Sequence, residues 1–168
     1  MTDQGLFTLF LFLHIGAAII AFGPTFAFPL MGAMAGKEPA HGNFGVRVSA
    51  MLIDRMVIPF ALSMPVSGVV LIYFSHINLT ARISWWLDIA IVLYVAALFT
   101  AVFVQRPAVR HMIELTSMAP PPPAPGAPPP GGPPPAIREQ SAKIKRNGSI
   151  LGLLIVLIVL LMVSKPQF

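Results

Sequence analysis

His14 stands alone in a long apolar run. From Gln4 to Gly36 the chain carries no Asp, Glu, Lys or Arg, and His14 is the one residue there that titrates near neutral pH. A neutral imidazole in such a setting can ligate haem iron or copper, or relay protons. Ionisable groups inside a membrane segment are functional candidates by default. Ala17, Ala18 and Ala21 follow at helical spacing on the same face, so a neighbouring helix can come close there. The competing reading is a packing histidine, hydrogen-bonded to a Ser or Tyr of that neighbour.

Three further residues could join His14. Asp88 and Tyr94 fall in the first part of a later apolar segment, at the same membrane depth if both segments start on the same side. His14 would then lie about 12 Å below its helix's outer end. Asp88 could accept a hydrogen bond from His14 and fix its tautomer, as carboxylates do behind histidine ligands. Otherwise it caps the first turn of its own helix, where negative charge is favoured. Tyr94 would extend a proton relay. His76, at the end of the second segment, is a shallow second ligand candidate. Met31, Met34, Met51, Met56 and Met64 cluster towards one end of the first two segments. Thioethers suit Cu(I), but methionine is also an adaptable gap filler. Cysteine is absent, which excludes disulfides and thiolate metal sites.

The elements that must hold these residues are membrane helices. The chain has 168 residues, 10% of them charged and 56% hydrophobic, with mean hydropathy +0.80. Soluble domains carry about 25% charged residues. A span needs roughly 20 apolar residues to cross a hydrocarbon core about 30 Å thick. Residues 6–34, 56–76, 83–104 and 148–164 meet or approach that length. The expectation is an all-α polytopic membrane protein with four transmembrane helices. The first contains Pro24 and Pro29, so it should kink near Gly23-Pro24 or break there into two helices. Its start, "MTDQG", has an acid and no base, unlike a cleaved signal.

Charge sets the orientation. Lys37, Arg47 and Arg55 lie between spans one and two, and Arg106, Arg110, Arg138, Lys143, Lys145 and Arg146 lie between three and four. Arg82 and Lys165 are on the other side. The positive-inside rule puts both of the richer loops in the cytoplasm and both termini outside, in a bacterial plasma membrane. The net charge of +5 is thus a topology signal. With no aromatic-basic surface beside it, nucleic acid is excluded as a partner.

Residues 120–135 read "PPPPAPGAPPPGGPPP", eleven prolines in sixteen positions. Such a segment can form neither helix nor sheet and reads as a disordered polyproline II spacer. It divides the chain into a three-helix membrane bundle (1–118), a cytoplasmic Pro-rich linker (119–136), and a basic lead-in with the fourth helix (137–168). Residues 46–55 read as an amphipathic lead-in to helix two. Pro107 should stop helix three or bend it. In helix two, Ser63 and Ser67 followed by Gly68 offer a small-residue face. Helix four, nearly pure Leu, Ile and Val, shows no packing face and reads as loosely held or paired with another chain.

"LFLHIGAAIIAFG", "PVSGVVLIY", "SWWLDIAIVLYVAAL" and "QRPAVR" resemble an uncharacterised bacterial integral-membrane family, domain of unknown function 2269, over roughly residues 6–115. A more distant similarity runs to copper-resistance D membrane domains and to haem-binding protoporphyrinogen oxidases, which also place a histidine before small residues in the first helix. That similarity would imply haem b or copper at His14. The chain departs from it by lacking a second histidine deep in a later helix. No hydrolase, kinase or nucleotide-binding motif is present. The reading is therefore an integral membrane protein that is not evidently an enzyme. A His14-based haem or copper redox protein is one alternative. The other is a small transporter, or an accessory or scaffold subunit that meets a protein partner, or a second copy, through the linker or helix four.

Overall fold

The computed structural model describes residues 3–38, 41–75, 85–118 and 132–165. Four long helical rods account for nearly all of them. The first is α1 (Asp3–Lys37), which continues unbroken through Pro24 and Pro29. The second joins α2 (Gly42–Leu52) to α3 (Ile58–Ser75) through a π-helical turn, Ile53–Val57. The third joins α4 (Trp85–Phe99) to α5 (Arg106–Met118) through another, Thr100–Gln105. The fourth is α6 (Pro135–Ser164), with proline at its first position, where a missing N–H costs nothing.

Each rod has between 30 and 35 residues and a stretch apolar enough to cross a membrane. Of each span's most apolar window, only 11–17% is buried within the chain. Phe12, Ile19, Val66, Val92 and Val163 are each more than 60% exposed. Surfaces of that kind on every side require lipid as solvent. A 34-residue rod is about 51 Å long, well beyond the hydrocarbon core. On the second rod the uncharged stretch Met56–Ser75 fills the core, and α2 with Asp54 and Arg55 projects from it. On the third, α5 projects in the same direction, as do the first residues of α6 on the fourth.

The two π-turns explain how the middle rods pass Pro59 and Pro107. At the end of each turn the backbone bonds five residues back, Ile58 N–H to the Ile53 carbonyl and Arg106 N–H to the Ala101 carbonyl. The next residue but one after each turn is a proline, Pro59 or Pro107. A proline has no N–H to leave unpaired and would otherwise crowd the carbonyl four residues back. The wider turn makes room for it, and the helix regains α register without an orphan donor. Pro107 therefore neither stops the rod nor ends the packing.

Inside the membrane the helices form two pairs. α1 packs along α3, and α4 along α6. Most of the buried positions on α1, α3 and α4 are small: Ala17 and Ala21 on α1, Ala61 and Ser67 on α3, Ala90 and Ala97 on α4. Small residues let helix backbones approach where no hydrophobic effect drives them together. The sequence expectation for helix four is corrected here. Leu151 and Ile158 of α6 close a core cluster with Ala97 of α4, with Tyr94, Leu93 and Met162 packed around it. An all-aliphatic helix has no polar contrast to mark its buried face, so the face was invisible in the sequence.

At the projecting end α2 packs on α1 and α5, and α5 packs on α6. Side-chain amides tie this layer. Asn43 Nδ2 donates to Thr116 Oγ1 at 2.8 Å, and Gln140 Nε2 to the Ala108 carbonyl at 2.7 Å. Asp54 receives Arg106 Nε at 2.7 Å and Arg110 Nη2 at 2.9 Å, one on each carboxylate oxygen. Burial on its own would raise the Asp54 pKa. The hydrogen bonds and charges of Arg110 and Arg106 outweigh it and hold the carboxyl below its usual range. A depressed carboxylate stabilises the fold above its unfolded pKa, about 4, and that contribution is lost as pH falls through the folded value. Asp54→Asn should cost about 1 kcal/mol at pH 7, modest because the triad is part-exposed and screened. The deficit should shrink as pH falls below about 4 towards the folded value, which denaturation in mild detergent between pH 2 and 7 would read. A constant deficit across that range would mean the triad's charge contributes nothing.

Candidate functional site

His14 faces α3. Its Nδ1 lies 2.8 Å from Ser67 Oγ. Ser67 Oγ is also within reach of two carbonyls of its own helix, Met64 at 3.1 Å and Ser63 at 3.3 Å. With the hydroxyl proton directed to its own helix, His14 Nδ1–H donates to Ser67 and Nε2 keeps its lone pair. Beside this bond lies Gly68. A Cβ added there would sit 3.6 Å from His14 Cε1. The small-residue face of helix two thus receives α1, with the imidazole in contact with it. Of the two sequence readings of His14, the hydrogen bond to a neighbouring Ser is the geometry found.

Tyr94 ties α4 to α3. Its hydroxyl donates to the Ala61 carbonyl on α3. Pro65 follows Ala61 by four residues and lacks the N–H that would bond that carbonyl. In a bilayer no water can substitute, so another helix supplies the donor. Ser63 Oγ donates to Phe60, and the repair at Ala61 comes from α4.

Asp88 is exposed in the first turn of α4, and the partner of His14 is Ser67. The structure does not bring Asp88 to the histidine. His76 lies outside the described residues. His41 and His111 sit in the projecting layer, each beside a glutamate of its own segment, Glu38 at 3.3 Å and Glu114 at 3.2 Å. Among the described residues no three of His, Asp and Glu come close enough together to hold a metal.

Between the two helix pairs lies a cavity of about 360 Å³. All four rods line it: Ala21 and Phe28 of α1, Ala61 of α3, Tyr94 and Ala97 of α4, Leu151 and Ile155 of α6. Gln105, the last residue of the second π-turn, lies at its polar end. It is 7% exposed, its Nε2 donates to the Ile144 carbonyl at 3.4 Å, and its Oε1 has no hydrogen-bond partner. Sequence reasoning missed Gln105. The signal was there: it continues the stripe of buried and half-buried residues Ala90, Tyr94, Ala97, Ala101 at helical spacing.

Four lipid-facing rods with their polar groups turned to one another define a polytopic α-helical integral membrane protein. The chain belongs to the family of predicted integral membrane proteins DUF2269, whose model matches residues 8–166. The match runs beyond the region 6–115 that carries the sequence resemblance and takes in the fourth helix. Nothing among curated proteins or among solved structures matches the chain.

Proposed function

We propose that this is a non-catalytic, accessory-type subunit of the bacterial cytoplasmic membrane. The observation that carries the reading is that His14, Ser67 and Tyr94 all join one helix to another. None of the three converges on a common point with an acid. The orientation proposed is cytoplasmic for the projecting end and external for both termini. It is supported by the nine Lys and Arg residues between spans one and two and between spans three and four, against Arg82 and Lys165 on the other side, and by the positive-inside rule. In this reading residues 1–118 form the body and 119–136 a cytoplasmic linker. Residues 137–168 then form a lead-in and span, with the linker or the outer face of α6 open to a protein partner or a second copy. That face carries Leu153, Val156, Leu160 and Val163, all exposed.

A second reading has one observation in its favour. A histidine whose Nδ1–H is held by a hydrogen bond presents Nε2 as a ligand, the arrangement seen behind metal-bound imidazoles. One experiment separates the two. The full chain is purified in mild detergent from a haem-competent host, and its absorbance spectrum and metal content are taken. The accessory reading expects no Soret band and no stoichiometric metal, in wild type and in His14→Ala alike. A Soret band or bound copper that disappears in His14→Ala would replace it with the redox reading.

A further inference from the structure

The apolar run of α1 is longer than the hydrocarbon it crosses. The end of α1 runs level with the start of α2: a Cβ added at Gly42 or at Gly45 would lie 3.8 Å from an atom of Ala35. Met56, where the uncharged stretch of the second rod begins, lies 11 to 14 positions further along that rod. The same level on α1 therefore falls 11 to 14 positions before Ala35, near Gly23. Residues 3–23 of α1 measure about 31 Å, the thickness of the hydrocarbon core. Residues 24–37, about 21 Å of helix, project beyond it beside α2.

That projecting end is apolar on its outside. On α1, Phe26, Leu30 and Met34 follow at four-residue spacing on one face, each more than half exposed. On α2, Phe44 and Met51 stand seven apart on one face and are more than half exposed as well. The two stripes meet where Met31, Met34 and Phe44 line a hollow of about 180 Å³. Met34 and Phe44 lie about 16–18 Å past the hydrocarbon edge. Headgroups extend only about 5–8 Å past it, so lipid does not cover these residues. A contiguous apolar face in water marks a surface that a partner buries.

The charges around this face choose the partner. Lys37, Arg47 and Arg55 are exposed, and none has an ion-pair partner among the described residues. Arg47 stands between Phe44 and Met51 on the same ridge of α2. Within residues 24–57 the acids are Glu38 and Asp54, and both are engaged: Glu38 with His41 at 3.3 Å, Asp54 with Arg106 and Arg110. The free charge is therefore positive. A second copy would set these cations against one another in a two-fold contact. A partner with acids beside its apolar residues would pair them.

We propose that α2 and the projecting end of α1 dock an amphipathic helix of a soluble protein partner, apolar on one face and acidic along its flanks. The helix lies between the α1 stripe and the α2 stripe, and its carboxylates face Arg47, Arg55 and Lys37. This docking rests on the accessory reading above and uses a surface apart from the linker and α6.

For the test, Phe44 is replaced by the photoreactive p-benzoylphenylalanine in the full chain, in the membranes of its own host. After irradiation the adduct is digested and the joined peptide is sequenced by mass spectrometry. The expected peptide comes from a soluble protein, with apolar residues at helical spacing and net negative charge. Arg47→Glu combined with Arg55→Glu should cut that adduct about tenfold. The same label at Tyr73, exposed on the lipid-facing part of α3, should not form it. A thermal melt shows whether the charge-reversed chain folds, and the peptide joined with both arginines intact decides the question without it. An adduct to lipid, to a second copy or to a peptide without acids would overturn the proposal, as would no adduct or one that survives the charge reversal. A Soret band that disappears in His14→Ala would overturn the accessory reading instead, so the two failures are read on different signals.

Discussion

Tyr94→Phe should destabilise the bundle by about 1–2 kcal/mol in detergent, and the loss should nearly vanish in a Pro65→Ala background. The substitution removes one hydroxyl and changes little in packing. It strips the Ala61 carbonyl of its donor, on a helix where Pro65 has already removed the backbone donor. An alanine at position 65 restores an N–H four residues after Ala61 and lets α3 satisfy itself. The two sites are therefore coupled through one carbonyl oxygen. A double-mutant cycle on thermal or denaturant unfolding should return an interaction of about 1 kcal/mol. Equal losses from Tyr94→Phe in both backgrounds would mean the hydroxyl is not mending the proline. Any proton-relay role for Tyr94 would have to be sought elsewhere, since this cycle reads only stability.

The second large effect lies where α1 meets α3. Gly68→Ala should be nearly neutral, within about 0.5 kcal/mol, because its methyl would rest at ordinary contact distance, 3.6 Å, from His14 Cε1. Gly68→Phe has no such room. A ring there must push the imidazole out of its place beside Ser67 and part the two helices, at a cost of about 2–3 kcal/mol. The loss should be partly recovered in Gly68→Phe with His14→Ala, where the smaller side chain on α1 vacates the volume. Melting temperatures of the four variants decide it. A harmless Gly68→Phe, or a loss that His14→Ala cannot recover, would show that the close approach at Gly68 is not what seats α1.

The two predictions share a cause. In a bilayer, helices gain little from burying apolar surface against each other, because lipid is as apolar as leucine. What joins them is close packing at small residues and the repair of polar groups that lipid cannot solvate. Ala61, Ser67, Gly68 and His14 belong to these two kinds of contact, and so does the carbonyl that Pro65 leaves free.

Much of this protein was determined by the sequence itself. A bilayer demands runs of about 20 apolar residues with every backbone group paired internally, so four such runs specify four helices. The lead-in at 46–55 was legible too, because its polar and apolar residues alternate at helical spacing. So was the kind of partner His14 could have, since a lone imidazole in hydrocarbon needs a Ser, a Tyr or a ligand.

Tertiary structure decided the rest. Nothing in spacing says that His14 meets Ser67 and not Asp88, because that depends on which rod lies beside which. It likewise decided that Tyr94 serves Pro65, on another rod and 29 positions earlier. Helix four's buried face could not be read from a segment without polar contrast. The two π-turns carry no sequence mark beyond the prolines that follow them. Gln105 was hidden for the opposite reason. It sits beside Arg106 and Pro107 and reads as a residue of the membrane edge, until α6 packs over it and buries its side chain.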